Sequence, residues 1–307
     1  MRIVALFGPT GVGKTAVAVA LAERLRERGE DPVAVSADAL QVYEGLETLT
    51  GVASAAERAG LEHRLVSFLA LDETFSAGQY ARLAHAQIDE LLAAGRRPLV
   101  VGGTGLYLRA ALSELSLRPP PPQELREHWM GELERQGAPA LHALLSERAP
   151  AAAGRIDPND RQRLVRALEL TDLGEQPPER PVGPNAAPSE LWSEEMRKPT
   201  LLVGLTMQRE ALYAATDARV EAMLAAGAAE EVRRADAACA SDTARKALGF
   251  EELLSGDVEA MKKRTRNYAK RQLTWMRKLA GVRVLDVTSR EPAEVAQEIL
   301  ALLADAR

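Results

Sequence analysis

The chain has 307 residues, with 39 Lys and Arg against 44 Asp and Glu for a formal charge of -5; 46% of residues are hydrophobic and 27% charged. That is an ordinary globular composition, for which disorder is not the default, and the length suits one large domain or two small ones. No run approaches the roughly 18 apolar residues of a membrane helix, and the N-terminus reaches glycine and lysine too soon for a signal peptide. A soluble, cytoplasmic protein without membrane partners is expected. The single Cys239 excludes an internal disulfide, and four scattered histidines suggest no zinc cluster.

Arg2 to Phe7 is a short apolar run closed by glycine, the pattern of a strand buried on both faces of a parallel sheet. Val17, Leu21 and Leu25 then recur every four positions between Lys14 and Arg28, predicting a helix stopped by Gly29. Pro32–Ser36 reads as a second strand. Ser76 caps a predicted helix that carries Tyr80, Leu83, Ile88, Leu91 and Leu92 and ends at Gly95. Pro98–Val101 is a third strand, followed by Gly102-Gly103-Thr104-Gly105. Alternating strands and helices predict an open parallel α/β sheet that binds ligands beyond the carboxyl ends of its strands.

The rhythm breaks at Arg118-Pro119-Pro120-Pro121-Pro122, beyond which helices are predicted over 123–136, 139–147 and 159–172. A stretch with five prolines, 176–190, reads as a solvated loop. Strand character returns over 200–207, and the rest reads as helical. The expected organisation is an α/β core over 1–117 and 199–307 with an all-helical insertion over 118–198.

Gly8-Pro9-Thr10-Gly11-Val12-Gly13-Lys14-Thr15 fits G-x4-G-K-[ST] between a strand and a helix. Its glycines let backbone N–H groups face phosphate oxygens, Lys14 adds a cation, and the Thr15 hydroxyl suits a Mg2+ shell. The motif specifies a phosphate and not a nucleotide. The strand at 98–101 ends in glycines and Thr104 instead of the carboxylate of a P-loop ATPase or GTPase. The neighbouring strand ends Ser36-Ala37-Asp38, so Asp38 reads either as a general base or metal-shell residue, or as the N-cap of a helix over 39–43.

Residues 262–278 hold Lys262, Lys263, Arg264, Arg266, Lys270, Arg271, Arg277 and Lys278 with no acidic residue. That local +8 suits phosphate backbones. The interleaved Tyr268 and Trp275 read as core residues. Arg161, Gln162, Arg163 and Arg166 form a second basic group. Subtracting the +8 segment from the total leaves -13 on the other residues, so the overall charge conceals an acidic body with a concentrated basic helix. It does not exclude RNA.

In order, GPTGVGKT, SADALQVYEGL (36–46), PLVVGGTGLYL (98–108), RIDPNDRQRLVRALEL (155–170), LYAATDARVEAML (212–224) and RTRNYAKRQLTWMRK (264–278) resemble the motifs of tRNA dimethylallyltransferases over nearly the whole chain. The resemblance implies a P-loop-containing nucleoside-triphosphate-hydrolase-like core. It implies transfer of a dimethylallyl group from dimethylallyl diphosphate to the N6 amine of the adenosine 3′ of the anticodon, with Mg2+ as cofactor. By similarity Asp38 is the general base and Thr104 lies beside it. Gly8–Thr15 and Arg219 hold the diphosphate, with Thr15 at the metal. Asp38, Ala39, Leu40 and Gln41 read the target base. Arg126 and Asp160, Arg161, Gln162, Arg163 and Leu164 touch the tRNA anticodon stem-loop, joined by Arg266 and Arg271 of the basic helix. Nothing in the sequence suggests an oligomer, so a monomer is expected.

The sequence departs from the pattern at four places. Ala39 replaces the usual serine, and Leu49-Thr50-Gly51-Val52-Ala53 replaces G-T-A-K-P. His63 follows Glu62 instead of a second histidine, and Gly249-Phe250-Glu251-Glu252 replaces G-Y-K-E. A small-molecule P-loop kinase and a non-catalytic, nucleotide-gated RNA-binding module are the alternative readings.

Overall fold

The computed structural model describes residues 1–118, 120–175 and 190–305. The chain divides into two compact units, Met1–Leu117 with Glu190–Arg307, and Arg118–Ser189. The first unit begins with β1 (Ile3–Phe7), α1 (Lys14–Arg26), β2 (Pro32–Ser36) and the short helices α2 (Glu47–Thr50) and α3 (Ala55–Gly60). It continues with β3 (Glu62–Arg64), α4 (Ala77–Ala93), β4 (Arg97–Gly102) and α5 (Gly105–Leu112). The second unit contains α6 (Gln123–Gln136), α7 (Ala138–Arg148), the one-turn α8 (Pro150–Ala153) and α9 (Arg161–Asp172). The chain then returns to the first unit with β5 (Thr200–Thr206), α10 (Arg209–Ala225), α11 (Ala228–Ala237), α12 (Phe250–Ser255), α13 (Val258–Met276), β6 (Arg283–Asp286) and α14 (Pro292–Asp305).

The strands form a six-stranded sheet in the order β3-β2-β4-β1-β5-β6, and every neighbouring pair is parallel. Alternate residues of β1 feed two cores. Ile3, Ala5 and Phe7 pack with Tyr80 and Ile88 of α4 and with Leu108 of α5, whereas Val4 and Leu6 pack with Leu21 and Leu25 of α1 and Ile299 of α14. Each fully buried leucine contributes ~1.5–3 kcal/mol relative to exposure. With helices covering both faces, the inner strands are mostly apolar, which explains why β1 and β2 are legible as continuous runs.

Several expectations need correction. β3 (EHR) and β6 (RVLD) escape sequence reading because they are short edge strands whose side chains, apart from Leu285, are exposed or only partly buried. The segment after β5 is therefore not purely helical. Ser76 does cap α4, through a reciprocal box with Gln79, but Leu83 is exposed and Ala84 takes the buried position. Residues 190–198, expected in the helical insertion, pack with the α/β unit. There the buried Arg109 donates to the Glu195 carbonyl at 3.3 Å, and the Arg197 N–H donates to the Leu112 carbonyl at 2.8 Å. The proline-rich stretch 176–189 lies outside the described residues.

In the helical unit, Trp129, Leu133, Leu141, Leu145, Leu164 and Leu168 form one core. Among the described residues of the whole chain, no helix is long and apolar enough to cross a membrane.

Candidate active site at the phosphate loop

β1 delivers the chain into Gly8–Lys14, where Gly11 (φ 83°) and Gly13 (φ 88°) adopt left-handed backbone that other residues rarely take. A Cβ on Gly11 would lie 3.0 Å from Thr216 Cγ2, so glycine also permits the close approach of α10. The Lys14 ammonium folds back to donate to the Gly8 and Pro9 carbonyls, both at 2.9 Å. Burial lowers its pKa to about 8, helped by the nearby Arg219 and opposed by Asp38.

The end of β2 runs on to Asp38, whose Oδ1 accepts the Leu40 N–H at 3.0 Å. This is an Asx turn. The helix that Asp38 would cap at 39–43 does not form, so the carboxylate is held by a turn at the sheet edge. A Cβ on Gly102 would fall 2.1 Å from the Ala37 carbonyl oxygen, so glycine is what lets the ends of β2 and β4 converge. That convergence places Thr104 Oγ1 3.5 Å from the Ala39 N–H and 3.4 Å from the Tyr268 hydroxyl.

Gln41 is tied inward: its Oε1 accepts from Ser36, and its Nε2 donates to the Thr50 and Gly51 carbonyls at 3.3 and 3.1 Å. This fixes the 49–53 stretch against Arg219. Gly51 (φ 64°) has no Cβ, and one placed there would sit 1.7 Å from Arg219 Nη2. The Arg219 Nε is enclosed without a hydrogen-bond partner among the described residues. Burial depresses the Arg219 pKa, while Asp38 and Glu57 act in the opposite sense.

α13 buries Met261, Thr265, Ala269, Gln272 and Met276 along one face. Gln272, absent from the sequence-based candidates, joins two loops of the site. Its Oε1 accepts the Thr10 N–H at 2.8 Å and its Nε2 donates to the Gly103 carbonyl at 2.9 Å. Gln272→Leu leaves both backbone groups unpaired and should cost ~2–4 kcal/mol, to be measured by urea unfolding. A loss below about 0.5 kcal/mol, the usual scale of a neutral surface change, would show that the loops hold their spacing without it.

These elements enclose a cavity of about 390 Å³ lined by the phosphate loop, Asp38–Gln41, Thr104, Arg219 and Arg271. Tyr268, expected in the core, lines it too. Burial and the Asp38 carboxylate push its phenol up to about 12, and Tyr80 and Tyr107 rise through burial first, then a neighbouring phenol, then Asp38. All three phenols therefore stay protonated at neutral pH. Trp275 is half-buried, 4.7 Å from Trp192 between ring centroids.

The basic helix is less free than its charge suggests. Lys262 pairs with Glu221 and Glu259, Arg264 with Glu252, and Arg266 with both oxygens of Asp217 at 2.7 Å. Arg266 lies outside the cavity lining, whereas Arg271 lines it and sits 5.4 Å from the Tyr268 ring centroid. In the helical unit, Arg126 pairs with the buried Glu169 at 3.2 Å and Arg161 with Glu134. Asp160 caps α9 by accepting the Arg163 N–H at 3.1 Å. Gln162 is exposed, and Leu164 is wholly buried in that unit's core, so its side chain offers no surface contact.

Among the described residues no cluster of three His, Cys, Asp or Glu could cage a metal ion. The oxygen donors lining the cavity include the Thr15 hydroxyl beside the phosphate loop and two carboxylates, Asp38 and Glu57. Such a sparse set of hard oxygens fits Mg2+, which keeps several waters and takes further ligands from substrate phosphates.

The profile of the IPP transferase family matches residues 41–279. The chain is 43% identical to a tRNA dimethylallyltransferase of Anaeromyxobacter dehalogenans over 92% of this chain and 94% of that one. It is 38% identical to the enzyme of that name from Kineococcus radiotolerans, over 98% and 96% of the two chains. The crystal structure of a full-length tRNA isopentenylpyrophosphate transferase from Bacillus halodurans is similar at a TM-score of 0.70 and 31% identity, covering 99% of this chain and 96% of that one.

Proposed function

Because this chain belongs to the IPP transferase family, we propose that it transfers a dimethylallyl group from dimethylallyl diphosphate to the N6 amine of the tRNA adenosine 3′ of the anticodon. The observation that carries this reading is the meeting of Lys14, Asp38, Thr104 and Arg219 at one cavity. An aromatic exocyclic amine is a weak nucleophile. As its lone pair forms the new C–N bond to the allylic carbon, the C–O bond breaks and its electron pair departs with the diphosphate. The amine proton passes to the Asp38 carboxylate. The loop N–H groups, Lys14 and Arg219 stabilise the charge that accumulates on the diphosphate. When bound, Mg2+ held by the Thr15 hydroxyl would add Lewis-acid stabilisation of the diphosphate oxygens.

Thr104 and the Asp38–Gln41 turn hold the target base. Arg126, Asp160–Leu164 and the basic groups Arg266 and Arg271 are assigned to the anticodon stem-loop, with Leu164 supporting its helix from within. Displacing the base from its stack costs a few kcal/mol, less in a loop than in a duplex. A monomer acting in the cytoplasm completes the reading. A small-molecule kinase is disfavoured because β4 ends in Gly102-Gly103-Thr104 and not a carboxylate.

Incubation with dimethylallyl diphosphate, Mg2+ and tRNA, followed by mass spectrometry of the digested nucleosides, tests the proposal. One dimethylallyl group should appear on the adenosine 3′ of the anticodon. No gain from wild type, or an undiminished gain from Asp38→Ala, would refute it.

Lys14 also predicts a pH dependence. In the free protein the ammonium is charged below about 8 and neutral above it. Inorganic diphosphate favours the charged form, so above this value binding must take up a proton, and affinity should fall by as much as about tenfold per pH unit until the ordinary lysine range is reached. Calorimetric titrations in buffers of different ionisation enthalpy would detect the uptake. Lys14→Met should abolish it.

A further inference from the structure

The cavity has two chemically different parts. The phosphate loop, Lys14 and Arg219 supply positive charge, whereas Leu49, Val220, Met223, Leu248 and Met261 supply apolar surface. The parts meet at Gly51, whose absent Cβ would lie 1.7 Å from Arg219 Nη2 and 3.3 Å from Met223 Cε. A second glycine, Gly249 (φ 97°), makes room on the apolar side. A Cβ there would lie 2.5 Å from Met261 Cε and 3.1 Å from Leu49 Cδ1. Leu49, Val220 and Met261 belong to one buried cluster, with Met223 packed on it.

We infer that this wall seats the hydrocarbon chain of the donor, and that Met223 and Met261 end it and restrict the donor to a five-carbon group. The inference rests on the proposed reaction. With the diphosphate held at Lys14 and Arg219, and the first carbon turned toward the amine beside Asp38, the remaining carbons must leave water somewhere next to the cations. The methionine-lined wall is the apolar surface that adjoins Arg219. Unbranched thioethers pack closely around a small branched chain, and on this inference their tips close off the space that a second isoprene unit would need. The longer donor would react by the same exchange of a C–O for a C–N bond, so length discrimination is a matter of space.

The test sets dimethylallyl diphosphate against geranyl diphosphate, with tRNA as acceptor, for wild type, Met223→Ala and Met261→Ala. Trimming either methionine should raise the ratio of kcat/KM for the ten-carbon donor to that for the five-carbon donor by roughly ten- to a hundredfold, the scale on which hydrophobic pockets discriminate. Met261 is only 1% exposed, and its truncation costs ~2–5 kcal/mol. Thermal melting therefore accompanies each assay, and the half-buried Met223 variant decides the matter where Met261→Ala does not fold. Folded variants with an unchanged ratio, beside a wild type that transfers dimethylallyl groups, overturn this inference alone. A wild type inactive with dimethylallyl diphosphate overturns the reaction and the inference together.

Discussion

Asp38→Asn is expected to lower the rate of prenyl transfer by ~10²–10⁴-fold, the usual contribution of a general base, while leaving the fold intact. The side-chain oxygen that accepts the Leu40 N–H at 3.0 Å survives in asparagine, so the turn that aims the residue persists. What disappears is the site that accepts the amine proton, together with one negative charge. That charge raises the Lys14 and Tyr268 pKa values, so its removal should move both down: Lys14 further below about 8 and Tyr268 back below about 12. The rate loss should therefore be measured near pH 7, where Lys14 is still largely protonated and diphosphate binding is least affected. Single-turnover rates with saturating donor and tRNA separate the chemical step from binding. A variant that retains more than about a tenth of wild-type turnover would deny Asp38 the role of base.

The sequence made the charged half of this site legible because its chemistry is carried by contiguous strings. The loop Gly8–Thr15 needs glycines at fixed spacing, and Asp38 and Thr104 each lie two residues beyond a strand with a short apolar run. The rest depends on contacts distant in sequence. Gln272 reaches Thr10 and Gly103 across more than 160 positions, and nothing local distinguishes it from a surface glutamine within a basic helix. Gly51 reads as part of a degraded motif, yet its positive φ and missing side chain admit Arg219. The basic segment misled in the opposite way. Its charge is plain in the sequence, but the carboxylates that engage Lys262, Arg264 and Arg266 come partly from other helices. The edge strands β3 and β6 were hidden because backbone pairing, unlike burial, leaves no apolar period.

Arg219→Met should separate stability from activity with opposite signs. The guanidinium Nε is enclosed without a partner, and burial depresses the group's pKa, so in the free protein this charge is poorly compensated. Methionine fills comparable space beside Gly51 and Met223 without that desolvation cost, and should stabilise the fold by ~1–3 kcal/mol in urea unfolding. The same change removes a preorganised cation from the place where charge develops on the diphosphate, and should reduce turnover by ~10²–10³-fold. Lys14 supplies an internal control. Arg219 is one of the two influences that depress its pKa, burial being the larger, so the variant should shift the alkaline fall in diphosphate affinity to higher pH. A destabilised variant would show that Arg219 is a structural strut whose partners lie in the free protein. A stabilised variant with unimpaired turnover and an unmoved Lys14 would remove Arg219 from the diphosphate site. The expected combination of a firmer fold, slower transfer and a more basic Lys14 follows only if the unpaired charge is held in reserve for the leaving group.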